Sequence, residues 1–135
     1  MRQPYLIDTC TGLWLVSGTL RKDIVAELAR SQGAGIRVSP ITAWELGLLA
    51  RKGRFSSTLT PERWFARLMS TPGAVLADMP PKVLLEASSL TGLASNDPAD
   101  RIIAATAREY GFTVVTSDRA LLAYGKQGYL SVLEC

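Results

Sequence analysis

Four acidic residues carry the clearest signal for chemistry in this sequence: Asp8, Glu45, Asp100 and Asp118. Asp8 and Asp118 each follow a run of strand-forming residues, whereas Glu45 and Asp100 fall within predicted helices. Four carboxylates brought together would repel one another strongly without a cation among them. Mg²⁺ and Mn²⁺ prefer oxygen ligands of this kind, and such a site activates water to cleave phosphodiesters. If the fold brings the four acids together, they predict a metal-dependent phosphodiesterase.

Two of these acids are placed by the elements predicted between residues 96 and 118. An aspartate at the N-cap, a proline at the first helical position and a closing glycine predict a helix over residues 97–111. The Val- and Thr-rich residues 112–116 predict a strand. Ligands of open α/β sheets bind beyond the carboxyl ends of parallel strands, which is where Asp118 falls. Asp100, at the start of the helix, can face the same crevice.

The other two acids each have a structural alternative. Residues 5–7 predict a buried strand that ends at Asp8, and the same side chain can simply cap the following helix. A serine and a proline start a further helix at residues 39–40, and Glu45 lies inside it. Most helical glutamates are solvated, but apolar residues surround Glu45 at most neighbouring positions. A carboxylate in such surroundings requires a partner, and a cation would serve.

Strands and helices alternate along the whole chain. Strands are predicted at residues 5–7, 36–38, 73–77, 112–116 and 129–133, and helices at 23–30, 39–53, 60–69, 83–90 and 97–111. This alternation predicts an α/β sandwich with a mainly parallel sheet. With 135 residues and 47% hydrophobic composition, a single domain over residues 1–135 is expected.

Composition narrows the class of function. The sequence contains no histidine, which excludes His-dependent triads and the usual zinc sites. Its two cysteines, Cys10 and Cys135, lack metal-binding spacing and are expected to be thiols. No apolar run approaches the roughly 20 residues needed to cross a bilayer, so a cytoplasmic protein without membrane contact is expected. The net charge of +3 is compatible with a polyanionic partner.

Several residues near the acids have two open interpretations. Asp97 can cap its helix or bind a metal, and Arg101 can pair with a phosphate or hold a neighbouring carboxylate. The hydroxyl residues beside the acids, which can orient water or carboxylates or satisfy backbone groups, are Thr9, Thr116 and Ser117. The basic run Arg51, Lys52 and Arg54 can contact a phosphate backbone or end its helix in solvent. The apolar stripes that contain Trp14, Trp44 and Trp64 predict core positions.

Three segments together resemble the PIN-domain ribonucleases and, within them, the VapC toxins of bacterial toxin–antitoxin pairs. They read YLIDTCTGLWL at residues 5–15, VSPITAWELGLLARKGR at 38–54 and NDPADRIIAATAREYGFTVVTSDRAL at 96–121. The resemblance covers essentially the whole chain, and the order of the segments makes it specific. It implies a PIN-like three-layer sandwich, in which a mainly parallel central sheet is flanked by helices.

The resemblance also implies a function and a set of site residues. The family's four acids fall on Asp8, Glu45, Asp100 and Asp118. They imply an endoribonuclease that depends on Mg²⁺ or Mn²⁺, acts on RNA, is blocked by a cognate antitoxin protein and forms a homodimer. Asn96 departs from the basic residue or histidine that many close relatives carry before the Asp-Pro pair.

Two other classes of function remain open. Another metal-dependent phosphohydrolase, such as a phosphatase, would also place an aspartate after the first strand, but it would want a second aspartate where this chain has Cys10. A non-catalytic PIN-like binding module would be expected to lack one or more of the four acids, and all four are present. A nucleotide-binding Rossmann protein is disfavoured because no glycine-rich turn follows the first strand.

Overall fold

A five-stranded parallel sheet organises the computed structural model, which describes residues 4–31, 33–55 and 57–135. The strands are β1 (Tyr5–Ile7), β2 (Ile36–Val38), β3 (Ala74–Leu76), β4 (Thr113–Thr116) and β5 (Ser131–Glu134). Their order across the sheet is β3-β2-β1-β4-β5, and each neighbouring pair is parallel. The mainly parallel sheet predicted from sequence is therefore confirmed, and the strands described are parallel throughout.

Helices cover both faces of this sheet. They are α1 (Thr9–Ser17), α2 (Lys22–Arg30), α3 (Ile41–Arg51), α4 (Pro61–Met69), α5 (Pro81–Ser89), α6 (Pro98–Tyr110) and α7 (Arg119–Lys126). One apolar cluster packs α5, α6 and α7 against the sheet, and a second packs α1, α2 and α4 against it. Two cores separated by a sheet make a three-layer sandwich, as predicted.

The first strand lies at the centre of the sheet, and its position decides where a site can form. Strand β1 pairs with β2 on one side and with β4 on the other, with Ile7 opposite both Val38 and Val115. The strand order thus reverses at β1. A crevice opens at the carboxyl end of such a switch point, because the connections leave in opposite directions. Asp8 follows β1 and lies at that crevice.

The predicted start of one strand and one predicted core position need correction. Strand β5 begins at Ser131 rather than at residue 129, because the Tyr129 ring stacks on Tyr124 at 5.0 Å between centroids and its carbonyl accepts a hydrogen bond from Arg108. Trp44 was predicted to lie in the core, but it is 50% exposed. Trp64, by contrast, is 3% exposed and packs in the second core cluster.

The length and polarity of the helices determine whether any of them could cross a membrane. Within the described ranges, none of the helices is both long enough and apolar enough to cross a bilayer.

Candidate active site

All four predicted acids line one pocket at the carboxyl edge of the sheet. Its volume is about 280 Å³, and its lining consists of Asp8, Thr9, Cys10, Glu45, Asp97, Asp100, Ser117 and Asp118. Larger grooves of about 460 and 530 Å³ lie elsewhere on the surface, so size does not single this pocket out. Its distinguishing feature is charge: five of the eight described lining residues are carboxylates, and none is basic.

Asp8 is the most enclosed of these carboxylates, with 7% of its surface exposed. Its Oδ1 accepts hydrogen bonds from the amide and the hydroxyl of Thr11, at 2.9 and 2.6 Å. Its Oδ2 accepts a hydrogen bond from the hydroxyl of Thr116 at 2.5 Å. The two interpretations of Asp8 are therefore compatible, because one carboxylate both caps α1 and faces the pocket.

Asp118, at the start of α7, likewise caps a helix and faces the pocket. Its Oδ2 accepts a hydrogen bond from the amide of Leu121 at 2.9 Å, which caps the helix. Its own amide donates to the hydroxyl of Thr116 at 2.9 Å. Thr116 thus links the ends of two neighbouring strands, since the same hydroxyl donates to Asp8. Both of its open roles are seen, because the hydroxyl orients the Asp8 carboxylate and satisfies the backbone amide of Asp118.

Asp100 lies in the first turn of α6, partly buried. The hydroxyl of Ser95 donates to its Oδ2 at 2.9 Å. Burial raises the pKa of Asp100 from its ordinary 3.8 to about 6. The hydrogen bond from Ser95 opposes this rise, and the charges of Asp118, Asp97 and Glu45 add to it. A cation beside this carboxylate would favour its ionised form and lower its pKa.

Glu45 reaches the pocket from the middle of α3. The hydroxyl of Thr9 donates to its Oε1, and the hydroxyl of Thr42 lies 3.4 Å from that of Thr9. Burial raises the pKa of Glu45, and the charges of Asp97 and Asp8 raise it further against the hydrogen bond from Thr9. Glu45 is therefore a partly buried pocket residue and not a solvated surface glutamate.

The structure also decides two of the open interpretations at the start of α6. Asp97 occupies the N-cap position, but its side chain accepts no capping hydrogen bond and instead lines the pocket. The capping interpretation of this side chain was therefore wrong. Arg101 neither holds a carboxylate nor faces the pocket: its guanidinium donates to the carbonyls of Ala87, Leu90 and Ser95.

Cys10 also faces the pocket, beside Asp8. Burial raises the pKa of its thiol to about 11, and the charges of the four predicted acids add to the rise. The side chain is therefore a neutral thiol at physiological pH, unlike the activated thiolates that act as nucleophiles.

The donor set of the pocket suits a hard divalent cation. Every strong ligand in its lining is a carboxylate, apart from the neutral thiol of Cys10. As placed, no three acidic or thiol side chains in the described part of the chain surround a common point. Mg²⁺ commonly binds through one or two carboxylates and keeps several waters. The residues present therefore fit Mg²⁺ or Mn²⁺ with water completing the coordination.

Sequence reasoning missed Thr11 and Ser95, which hold two of the carboxylates. The spacing of Thr11, three residues after Asp8, is the one local signal that could have found the first contact, because a capping residue bonds at that distance. Ser95 lies in a loop, and no periodicity places a loop hydroxyl against a helix.

Comparison with known proteins agrees with this architecture. The PIN domain family matches residues 5–127 of the chain. In sequence, the chain is 30% identical to Ribonuclease VapC22 of Mycobacterium tuberculosis (strain ATCC 25618 / H37Rv) over 119 residues, which cover 88% of this chain and 90% of that protein. The chain therefore belongs to the PIN domain family, and its similarity to a VapC protein extends over most of its length.

Two solved structures share the fold. VapBC2 from Rickettsia felis, bound to a DNA fragment from its promoter, matches with a TM-score of 0.73 and 16% identity over 98% of both chains. DNA-bound VapBC from Salmonella typhimurium matches with a TM-score of 0.67 and 20% identity, again over 98% of both chains. The order of strands and helices along this chain therefore matches the fold seen in these two structures.

Proposed function

We propose that the protein is an endoribonuclease dependent on Mg²⁺ or Mn²⁺ and the toxin of a toxin–antitoxin pair, acting in the cytoplasm. The observation that carries this proposal is the pocket in which Asp8, Glu45, Asp100 and Asp118 meet, although they come from four separate parts of the chain. The 30% identity to a ribonuclease over 88% of the chain supports RNA as the substrate.

Each acid has a role in this proposal. Asp8, Asp100 and Asp118 would hold the cation, directly or through bound water, and Glu45 would bind it or position the attacking water. The cation, when bound, supplies charge neutralisation at the phosphate and activates water. The oxygen of that water bonds to phosphorus, one P–O ester bond breaks, the water loses a proton and the leaving oxygen gains one. Glu45 suits the acceptance of that proton, because its raised pKa brings it nearer neutrality.

The proposal is tested by RNA cleavage with Asp118→Asn as the variant. Asparagine caps helices as well as aspartate does, so the variant keeps the bond to Leu121 and removes only the charge. Asp78→Asn is the matched control, since Asp78 also follows a strand but is exposed and lies outside the pocket lining. The expected loss in Asp118→Asn is about 10²–10³-fold. Equal cleavage by the two variants, or cleavage that survives a chelator, would contradict the proposal.

The second part of the proposal concerns the antitoxin. A groove of about 530 Å³ lies one helical turn along α1 and α3 from the pocket, between the ends of those helices and α4. Trp14, Leu49 and Trp64 give it an apolar lining, and the exposed Arg54 and Arg67 give it positive charge. An apolar antitoxin segment with acidic residues would complement both properties and would lie next to the pocket that it blocks.

Charge reversal tests this groove without disturbing the core. Arg54→Glu combined with Arg67→Glu is expected to weaken binding of the cognate antitoxin by at least about tenfold. Arg63→Glu is the control, because Arg63 is exposed on the same helix as Arg67 but does not line the groove. Titration calorimetry with the purified antitoxin measures the affinity of the double variant and of the control. Equal affinity of the two variants would remove the groove from the proposal.

We also propose a homodimer. Helix α5 exposes Leu84 and Leu85, at 41% and 71%, and α3 exposes Trp44. Exposed apolar side chains that form a contiguous patch are typical of surfaces that bind another protein. Leu85→Glu is expected to shift the sedimenting species from dimer to monomer, whereas Val25→Glu, at a 40% exposed position on α2, is not. A wild-type protein that sediments as a monomer at micromolar concentration would contradict the dimer.

A further inference from the structure

Arg101 holds the loop between α5 and α6 in place. Its Nε donates to the carbonyl of Ala87 at 2.8 Å, and its Nη2 donates to that of Leu90 at 2.8 Å, so the guanidinium binds the last turn of α5 and the residue that follows it. Its Nη1 reaches the carbonyl of Ser95 at 3.2 Å. The planar fork of arginine suits three carbonyls in one region, which a single ammonium cannot match.

Ser95, held in this way, contacts both acids at the start of α6. Its hydroxyl donates to Asp100 Oδ2 at 2.9 Å and accepts a hydrogen bond from the amide of Asp97 at 3.1 Å. A hydroxyl has one hydrogen to donate, and here the carboxylate receives it. The hydrogen bond fixes the rotation of the Asp100 carboxylate through its Oδ2.

We propose that Ser95 is a positioning residue of the active site, and that Arg101 acts on the site by holding Ser95. The inference rests on the proposed function, because Asp100 is one of the carboxylates assigned to the cation. A fixed carboxylate binds a cation without first losing rotational freedom, and partners of metal ligands typically contribute 10–100-fold to affinity or activity. The loop of residues 90–97 is therefore part of the site, and its last residue, Asp97, lines the pocket directly.

A purely structural role would give a different result. The loop is also tied down before Ser95, independently of its hydroxyl, because the hydroxyl of Tyr124 donates to the carbonyl of Thr91 at 3.2 Å. Loss of the Ser95 hydroxyl is therefore expected to leave the fold intact. A structural role would lower the melting temperature of the metal-free protein, whereas a positioning role lowers cation affinity and kcat.

The test compares Ser95→Ala and Ser95→Thr with wild type. Ser95→Thr keeps a hydroxyl and serves as the rescue, and Ser89→Ala is the control, because the Ser89 hydroxyl bonds to carbonyls of its own helix. Four quantities are measured: the Mn²⁺ dissociation constant by calorimetry without RNA, kcat and KM for RNA cleavage, and the melting temperature without metal. Ser95→Ala is expected to weaken Mn²⁺ binding and lower kcat by about tenfold each, with KM and melting temperature unchanged.

Arg101→Lys extends the test to the residue that holds Ser95. Since one ammonium cannot reach three carbonyls, this variant is expected to lose affinity for Mn²⁺ and also some stability. The Ser95 variants keep the inference falsifiable should Arg101→Lys fail to fold.

The possible outcomes separate this inference from the proposed function. Unchanged Mn²⁺ affinity and kcat in Ser95→Ala would overturn the inference alone. If wild type binds Mn²⁺ but cleaves no RNA, the proposed function fails, and the affinity of Ser95→Ala still decides the inference. If wild type binds no Mn²⁺, both are overturned.

Discussion

The hydroxyl of Thr116, at the end of β4, donates a hydrogen bond to Asp8, at the end of β1, at 2.5 Å. Both residues are buried, and the strands that carry them are neighbours in the sheet. The sheet register therefore sets the position of the first carboxylate of the site. Because the same hydroxyl accepts from the amide of Asp118, one side chain fixes the geometry at both strand ends.

Replacement of Thr116 by valine removes this hydroxyl and keeps the shape of the side chain. The buried Asp8 then loses a donor, which costs about 1–3 kcal/mol when a polar group is left unsatisfied. Urea denaturation of the metal-free protein measures this cost, and RNA cleavage is expected to fall with it. Thr116→Ser is expected to restore both. Thr113→Val is the control, since Thr113 lies on the same strand and bonds to Ser131 away from the pocket. Equal stability of the two valine variants would contradict the assigned role.

The sequence could identify the acids because their positions follow local rules. Asp8 and Asp118 follow strands, and the carboxyl ends of parallel strands meet at one edge of a sheet. Glu45 was identified from a conflict between its charge and its apolar neighbours, and its raised pKa has burial as the first cause. These signals depend on a few adjacent residues, so they can be read without the fold.

The contacts that hold the acids could not be predicted in the same way. Ser95 and Arg101 act through a loop whose path depends on the packing of α5 against α6. Asp97 shows how a local rule fails, because its backbone adopts the N-cap conformation while its carboxylate turns to the pocket. Likewise, the apolar stripe of α3 gave no sign that Trp44 would be exposed. A stripe shows which face of a helix is apolar, but not whether another element covers all of it.

Two glycine substitutions test the packing with opposite expected signs. A Cβ at Gly125 would lie 2.6 Å from Cγ2 of Val132, so Gly125→Ala pushes α7 away from β5 and is expected to destabilise by about 1–3 kcal/mol. A Cβ at Gly47, inside α3, meets nothing within 4 Å. Gly47→Ala is expected to stabilise by up to about 1 kcal/mol through helix propensity. Chemical denaturation of both variants is the measurement, and equal signs would contradict a close contact between α7 and β5.

Asp100 makes the stability of the metal-free protein depend on pH. Its pKa is about 6 in the folded protein and near 3.8 when unfolded, so the folded state binds its proton more tightly. Stability is then lost as the pH rises from about 4 to 6. The full shift corresponds to about 3 kcal/mol, which solvent screening at this partly buried group reduces to about 1 kcal/mol. The stability of Asp100→Asn relative to wild type is expected to increase by that amount between pH 4 and pH 7, measured by denaturation in chelator. A difference that is constant with pH would contradict the raised pKa.

Without metal at pH 7, Asp100→Asn is expected to be more stable than wild type. Saturating Mg²⁺ is expected to make wild type the more stable of the two. A ligand at 100 times its dissociation constant stabilises the folded state by about 2.7 kcal/mol. Wild type gains this stabilisation, and Asp100→Asn, which lacks one of the proposed ligands, gains less. Thermal unfolding with and without Mg²⁺ measures both gains, and Asp78→Asn is expected to gain as much as wild type. An Mg²⁺ gain in Asp100→Asn equal to that of wild type would exclude Asp100 from the cation site.

Cys10 offers a way to detect the cation without measuring catalysis. The pKa of its thiol is about 11, chiefly through burial and then through the charges of the four predicted acids. A divalent cation neutralises part of that charge, lowers the pKa and raises the reactive thiolate fraction, which increases tenfold for each unit that the pKa falls. Alkylation of Cys10 by iodoacetamide at pH 8 is therefore expected to accelerate about three- to tenfold with Mg²⁺, relative to NaCl of equal ionic strength. Peptide mapping separates Cys10 from Cys135, and Asp118→Asn is expected to show a smaller acceleration. If Mg²⁺ leaves the rate at Cys10 unchanged or lowers it, the cation does not bind among these carboxylates.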